Sequence, residues 1–136
     1  MCEEVRKYLE ENDRFAELAG VEVLEAGEGW ARAKLELGAQ HLNSLGTVHG
    51  GAIFTLADVT FAAATHVEGR QAPGIQVSIN YFNAISEGIL YAEAERVHDH
   101  PKLATYRVEI ENEAGELVAD FEGTAYRLRK KYPPQE

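Results

Sequence analysis

Cysteine is almost absent from this sequence: Cys2 is the single thiol among 136 residues. One thiol excludes an internal disulfide, so an oxidising compartment is not needed and a cytoplasmic location is expected. Basic residues are also scarce, with 13 Lys and Arg against 23 Asp and Glu and a formal net charge of −10. Proteins that bind nucleic acids neutralise phosphates with a basic face, so this balance argues against a nucleic-acid partner.

The sequence also lacks a convincing transmembrane segment. The longest apolar run, residues 50–67, begins with two glycines and contains one acid, Asp58. Its length only reaches the lower end of the roughly 17–25 residues of a spanning helix, and a central acid costs about 3 kcal/mol in a bilayer. The N-terminal segment is charged throughout, unlike a signal peptide. We therefore expect a buried helix over about 51–67 and no membrane partner.

Metal-ligand clusters and serine-nucleophile motifs are missing as well. His98 and His100 have a chelating spacing, but no cysteine or third ligand accompanies them, so no metal site is expected. Ser44, Ser78 and Ser86 lack the glycine pattern of a nucleophile elbow. Any catalysis must therefore depend on other side chains.

The residues that are present predict one α+β domain over 1–136. The spacing predicts an amphipathic helix over 3–18, ending before Gly20, and a polar, frayed tail over 129–136. Alternation of apolar and polar residues predicts six strands: in VEVLEAGEG, in WARAKLELG, and near 75–82, 88–98, 102–112 and 116–128. Short connections favour hairpins, so we expect a mostly antiparallel sheet around the apolar helix.

The stretch NSLGTVHGGAIFTLAD, residues 43–58, places two glycines where the apolar helix should begin. A helix N-terminus presents unpaired N–H groups and about half a positive charge. Gly50 and Gly51 leave those amides open to a ligand oxygen, which suits stabilisation of an oxyanion. Asn43 is a further donor, and the intervening loop could fold back to bring it toward the same point. His49 stands at the helix entrance and could fix that loop by hydrogen bonding.

Asp58 lies seven residues beyond Gly51, on the same helix face but roughly 10 Å along the axis. A general base and an oxyanion donor must both lie within ~3 Å of the reacting group. Two antiparallel helices across a two-fold axis would bring the N-terminus of one beside Asp58 of the other. The apolar neighbours of Asp58 leave no obvious solvated face, so we expect it to be covered. The spacing predicts a homodimer as the catalytic unit.

Three stretches, HLNSLGTVHGGAIFTLAD, VSINYFNAISEG and FEGTAYRL, resemble the hot-dog-fold acyl-coenzyme A thioesterases of the phenylacetic-acid-degradation (PaaI-like) type. The resemblance implies five or six antiparallel strands wrapped around one long helix, with dimers that commonly pair into homotetramers. It implies that Asp58 activates water or attacks the thioester, and that Gly50, with Gly51 beside it, polarises the carbonyl through its N–H. Asn43 and His49 are then expected to assist carbonyl binding and to shape the loop.

The resemblance also implies a substrate, an aromatic or medium-chain acyl-coenzyme A, with no separate cofactor. Relatives often have Ser or Thr at the start of the strand after the helix, where it helps to hold the water. Gln76 stands at that position here and is expected to be a substrate-binding residue. The depth of the acyl pocket is expected to depend on Phe54, Phe61, Tyr81 and Phe82.

Two other functions remain open from the sequence. One is a non-catalytic module that binds acyl-coenzyme A. The other is a hydratase or dehydratase that acts on an enoyl thioester, with His49 and Asp58 as its site. The basic tail residues Arg129, Lys130 and Lys131 are either solvated or meet the phosphates of coenzyme A.

Overall fold

Our computed structural model describes residues 2–134 of the chain, which form three helices and six strands. The bounds in chain order are α1 (Cys2–Asn12), α2 (Arg14–Ala19), β1 (Val21–Gly27), β2 (Trp30–Glu36), α3 (Gly50–His66), β3 (Gly74–Tyr81), β4 (Ile89–Asp99), β5 (Leu103–Glu111) and β6 (Leu117–Tyr126). The expected loop at 38–48 contains one 3-10 turn, Ala39–His41. Among the described residues, no helix has both the length and the apolar character needed to cross a bilayer.

The six strands form one antiparallel sheet in the order β1-β2-β4-β5-β6-β3. Alternate residues of each central strand face inward, as Ala31, Ala33 and Leu35 do on β2. Their faces pack on α3, which contacts every strand. The α+β hot-dog arrangement expected from the sequence is confirmed, with six strands around one long helix.

One aromatic cluster lies between the helix and the sheet, and two glycines on the strands make room for it. Phe61 packs edge-on against Tyr106 and tilts against Phe121, with ring centroids 5.7 Å apart in both pairs. A Cβ at Gly74 or Gly123 would come within 2.9 Å or 3.1 Å of the Phe61 ring. Both glycines on the neighbouring strands therefore make room for this one side chain.

The single helix predicted over 3–18 is wrong, because Asp13 divides it in two. Asp13 leaves the helical conformation (φ −82°, ψ 88°), and its carboxylate accepts a hydrogen bond of 3.1 Å from the Ala16 N–H. An aspartate in this position caps a new helix start. Gly20 then ends α2 in the left-handed conformation, with φ 88°.

The frayed tail predicted over 129–136 is also wrong for the residues up to 132; residues 135–136 lie outside the described part. The Tyr132 N–H donates to the Gly69 carbonyl (2.8 Å), and the Gln71 N–H donates to the Lys130 carbonyl (2.9 Å). The Tyr132 ring stacks on His66 at the end of α3, with centroids 4.2 Å apart. One aromatic residue and several backbone hydrogen bonds thus hold a polar segment in place.

Candidate active site

The N-terminus of α3 is capped by a histidine. The helix begins at Gly50, one residue before the predicted start, and His49 is its N-cap in an extended conformation. The His49 Nδ1 accepts a hydrogen bond of 2.8 Å from the Gly51 N–H. Since Nδ1 accepts, the proton of the neutral ring lies on Nε2. His49 therefore shapes the helix entrance, as expected from the sequence.

This cap changes the expectation that both glycine amides are open to a ligand. The Gly51 N–H is engaged by His49, whereas no acceptor within the described residues contacts the Gly50 N–H. Gly50 is the first residue of the helix, so its N–H has no partner inside α3. Of the two glycines, Gly50 is the one that presents a donor.

Tyr81, at the end of β3, fixes the position of Gly50. Its hydroxyl donates a hydrogen bond of 3.0 Å to the Gly50 carbonyl oxygen. A Cβ at Gly50 would come within 3.3 Å of both Cζ and the hydroxyl oxygen of Tyr81. Partial burial in this contact raises the pKa of the Tyr81 phenol. Tyr81 was expected to line a substrate pocket, and the structure adds a bracing role at the helix start.

Asn43 organises the loop that leads to α3. Its Oδ1 accepts hydrogen bonds from the Leu45 N–H (2.9 Å) and the Thr47 N–H (3.1 Å), and its Nδ2 donates to the Thr47 hydroxyl (3.0 Å). These contacts form an Asx-type turn. The loop-shaping role is therefore visible, while contact between Asn43 and a substrate carbonyl stays a prediction.

A buried histidine with no local sequence signal, His41, connects the same loop to the N-terminal helices. The His41 Nδ1 accepts from the Gly38 N–H (2.9 Å), so Nε2 carries the proton and donates to the Ala19 carbonyl (2.5 Å). The His41 carbonyl accepts from the His49 N–H at 2.7 Å. Its role depends on contacts distant in sequence, so no local pattern could have found it.

The expected covering of Asp58 is not observed in the single chain, where its side chain is exposed. α3 leaves one strip of its surface open, with residues three or four apart, and the strip includes Gly51, Thr55, Asp58 and Ala62. Apolar neighbours still remove part of the solvent around Asp58, which raises the pKa of its carboxyl, and the charge of Asp13 raises it further. Asp13 is the cap of α2, so the N-terminal helices influence the predicted catalytic acid.

The remaining predicted substrate-binding residues fall in two different environments. Gln76 is exposed on β3, which is an edge strand of the described sheet and pairs with β6, and Phe82 is exposed directly after it. Phe61 instead lies in the core with 2% of its surface exposed, which argues against direct contact with a substrate.

Within the described residues, no three His, Cys, Asp or Glu side chains are grouped to hold a metal.

The family model of the thioesterase superfamily matches residues 45–119, which include the open strip of α3. A protein of Archaeoglobus fulgidus is 42% identical over 98% of this chain and 88% of its own length. The acyl-coenzyme A thioesterase PaaI of Escherichia coli is 33% identical over 87% of this chain and 85% of its own length.

Solved structures show the same similarity in three dimensions. The Escherichia coli PaaI protein from the phenylacetic acid degradation operon superposes with a TM-score of 0.90 at 29% identity, covering 94% of each chain. The smu.793 protein of Streptococcus mutans UA159, in a structure bound to acetyl CoA, has a TM-score of 0.77 at 27% identity. That match covers 82% of this chain and 90% of the other.

Proposed function

Because this chain belongs to the thioesterase superfamily and is a thioester hydrolase, we propose that it cleaves an aromatic or medium-chain acyl-coenzyme A to the free acid and coenzyme A. The similarity to an acyl-coenzyme A thioesterase and to a structure bound to acetyl CoA supports this substrate class. Coenzyme A is part of the substrate, so the reaction needs water and no separate cofactor.

One observation carries the proposal: a single open strip of α3 has the unpartnered Gly50 N–H near one end and Asp58 two turns further on. Two turns correspond to roughly 10 Å, too far for both groups to reach one carbonyl. We propose that a second copy of the chain packs antiparallel against this strip. Asp58 then faces the amide of Gly50 of the partner subunit, and each dimer has two equivalent sites.

The exposed edge of the sheet suits the same assembly. β3 has no strand beyond it among the described residues, and it displays Ile75 and Tyr81 with 59% and 49% of their surfaces exposed, followed by Phe82 with 55%. An open apolar strand edge is an unfavourable surface for a free monomer. Pairing of two β3 edges would cover it, and two such dimers could associate as a homotetramer.

The chemistry assigns one role to each group. Asp58 takes a proton from water as the water oxygen bonds to the thioester carbon, or its carboxylate attacks that carbon directly. The carbonyl oxygen becomes an oxyanion that accepts the Gly50 N–H of the partner subunit. The oxyanion then reforms the carbonyl as the C–S bond breaks. The coenzyme A thiolate takes the proton that Asp58 accepted from water, or, in the direct route, a proton from solvent. In the direct route, water subsequently hydrolyses the acyl-aspartate anhydride. A raised pKa makes Asp58 a stronger base than an ordinary carboxylate.

The first experiment measures the hydrolysis of a panel of acyl-coenzyme A esters through the release of free thiol. Asp58→Asn should lower kcat by about 10²- to 10⁴-fold, while Glu109→Gln, which changes an exposed acid on β5, should not. Unchanged turnover in Asp58→Asn would reject the assignment. An enoyl-coenzyme A that loses its double bond without thiol release would indicate a hydratase, and binding of acyl-coenzyme A without any conversion would indicate a carrier module.

Shared sites can be tested by mixing two inactive variants. Gly50→Pro removes the N–H donor at the first helical position, where proline is tolerated, and the extended conformation of His49 suits a following proline. Gly50→Ala is its control, because it places the same Cβ 3.3 Å from Tyr81 and keeps the N–H. A mixed dimer of Gly50→Pro and Asp58→Asn chains keeps one intact site if the two groups come from different chains. Random mixing should then restore roughly a quarter of wild-type activity. No recovery after confirmed subunit exchange would contradict a shared site.

A further inference from the structure

An apolar cavity lies beside the catalytic helix, between the N-terminal helices and the strand β1. Its volume is about 190 Å³. The apolar residues that line it come from four elements, and they are Leu9, Ala16, Val21, Val23 and Val59. An engineered cavity of about 150 Å³ with apolar walls binds benzene. The space, which we call the α2 cavity, is therefore large enough for a phenyl ring or a short alkyl chain.

The α2 cavity is next to the predicted catalytic acid. Val59 in its wall directly follows Asp58 in α3, and Asp13 lies on its rim. The charge of Asp13 contributes to the raised pKa of Asp58, in line with this proximity. An apolar group attached to a thioester at Asp58 therefore has a concave apolar surface within reach.

The helix α2 is held in place beside the same stretch of α3. The His41 Nε2 donates to the Ala19 carbonyl at the end of α2 (2.5 Å), and the His41 carbonyl accepts from the His49 N–H (2.7 Å) at the entrance of α3. With Asp13 at its other end, α2 runs from the start of α3 to the neighbourhood of Asp58. The wall of the cavity is thus fixed in advance, which lowers the entropic cost of binding a ligand.

The rim of the α2 cavity is acidic. It carries four carboxylates, and none of the residues that line the cavity is Lys or Arg. Two of these acids have cationic partners outside the cavity, since Glu10 faces Arg6 at 3.4 Å and Glu22 faces Lys34 at 3.5 Å. These ion pairs reduce the field that Glu10 and Glu22 exert on the cavity.

The other two acids, Asp13 and Glu17, are not neutralised in this way. Within the described residues, neither makes an ion pair, although Glu17 also borders a separate groove with Lys7. They are four residues apart, which is about one helical turn. The Asp13 carboxylate accepts from the Ala16 N–H, and this bond fixes its position. The cavity is therefore apolar inside and negative at its mouth.

Resting on the proposed function, we propose that the α2 cavity receives the far end of the acyl group, and that Asp13 and Glu17 make the enzyme select acyl groups with an uncharged end over those that end in a carboxylate. A terminal carboxylate would lose water on entering the cavity and would face two like charges. A methyl or phenyl end would meet neither penalty. Repulsion of this kind rejects a competitor without tighter binding of the preferred ligand.

The test uses two substrates that differ in charge and hardly in shape. Adipyl-coenzyme A ends in a carboxylate, and its monoamide ends in an uncharged amide. In wild type, kcat/KM should be roughly tenfold higher for the monoamide. In Asp13→Asn/Glu17→Gln this ratio should fall below about threefold, and added salt should lower the wild-type ratio. Because both substrates use Asp58, the ratio is insensitive to a change in its pKa.

A matched control removes the same charge elsewhere. Glu109→Gln/Glu111→Gln changes two exposed acids of β5 and should leave the ratio within about twofold of the wild-type value. Calorimetric titration with non-hydrolysable thioether analogues of the two adipyl substrates measures the same charge selection without turnover.

The position of the acyl group is tested by filling the cavity. Val59→Leu adds a methylene group to its wall, so kcat/KM should fall roughly fivefold more for octanoyl-coenzyme A than for butyryl-coenzyme A. Equal losses for the two chain lengths would place the acyl group elsewhere and overturn the inference.

The outcomes separate this inference from the proposed function. Equal ratios in both double variants, or equal hydrolysis of the two adipyl substrates by wild type, would overturn the inference while leaving thioester hydrolysis intact. Charge-selective binding of the thioethers without hydrolysis of any acyl-coenzyme A would instead overturn the proposed function.

Discussion

The Tyr81 hydroxyl and the Gly50 carbonyl form a hydrogen bond of 3.0 Å that ties the end of the edge strand β3 to the first residue of α3. The Gly50 carbonyl and the Gly51 N–H belong to one peptide group, so Tyr81 and His49 hold that group from both sides. The Gly50 N–H belongs to the preceding peptide group, whose His49 carbonyl accepts hydrogen bonds from the Ala52 and Ile53 N–H groups. Both peptide groups are therefore fixed, and the Gly50 N–H is left as an oriented donor. A donor that is oriented before charge develops is the arrangement that oxyanion stabilisation requires.

Tyr81→Phe should loosen this start of the helix. The substitution keeps the ring beside Gly50 and removes only the hydrogen bond, so it should cost about 0.5–1.5 kcal/mol of the free energy of unfolding. We expect a larger proportional loss in kcat than in substrate affinity, because the donor is needed most in the transition state. Tyr91→Phe, at a 42% exposed tyrosine on β4, is the matched control. Equal kcat values in both variants would contradict the bracing role.

His49→Ala should leave the Gly51 N–H without its acceptor and destabilise the chain by about 1 kcal/mol. His49→Asn should recover most of that stability, because asparagine is a good N-cap. Urea denaturation measures both effects. If kcat also recovers in His49→Asn, the histidine acts through the cap; if stability recovers and kcat does not, the imidazole itself takes part in the reaction.

Asp13→Asn should shift the pH profile of the enzyme. Removal of solvent by apolar neighbours raises the pKa of Asp58, and the negative charge of Asp13 raises it further. The ionised base is present above this raised pKa and is lost as the pH falls through it. Neutralising Asp13 should lower that pKa, so the acidic limb of kcat/KM should move to lower pH, more clearly at low salt. Asparagine keeps the α2 cap, and a limb that does not move would exclude coupling between the two acids.

Tyr132→Ala should detach the C-terminal segment from the end of α3. The ring stacks on His66 and meets the Tyr8 ring edge-on at 5.4 Å, so its loss should cost about 1–3 kcal/mol. Burial raises the pKa of the Tyr132 phenol to about 12, and its hydroxyl is neutral at physiological pH. Tyr132→Phe should therefore match wild type in thermal denaturation. Equal melting temperatures in wild type and Tyr132→Ala would mean that the docked segment adds no stability.

Local patterns were sufficient for most of the architecture. The alternation of Ala31, Ala33 and Leu35 with charged residues predicts the inner face of β2, and that face packs on the helix. The spacing from Gly51 to Asp58 predicts a shared helix face, and both residues lie on the open strip of α3. Such features depend only on the period of a strand or a helix.

One error was local: Asp13 looks like one more polar residue of an amphipathic helix, yet its carboxylate caps the Ala16 N–H and starts a second helix. The other errors arose where contacts between distant segments decide the structure. Tyr132 lies in a polar tail, but its ring stacks on His66, which is distant in the sequence. Phe61 belongs to the same apolar helix as Asp58, and only the packing of Gly74 and Gly123 around it shows that it points into the core.

The position of β3 also has a consequence for how the chain is made. β3 follows α3 in the sequence, but its hydrogen-bonding partner is β6, which comes after β4 and β5 in the chain. During translation, Val77 and Ile79 must therefore remain unpaired until β6 leaves the ribosome. Such long-range pairing is slow and leaves an apolar strand open to wrong partners. Nascent chains that stop before Leu117 therefore carry an unmatched strand, and completion of β6 is the step that closes the sheet.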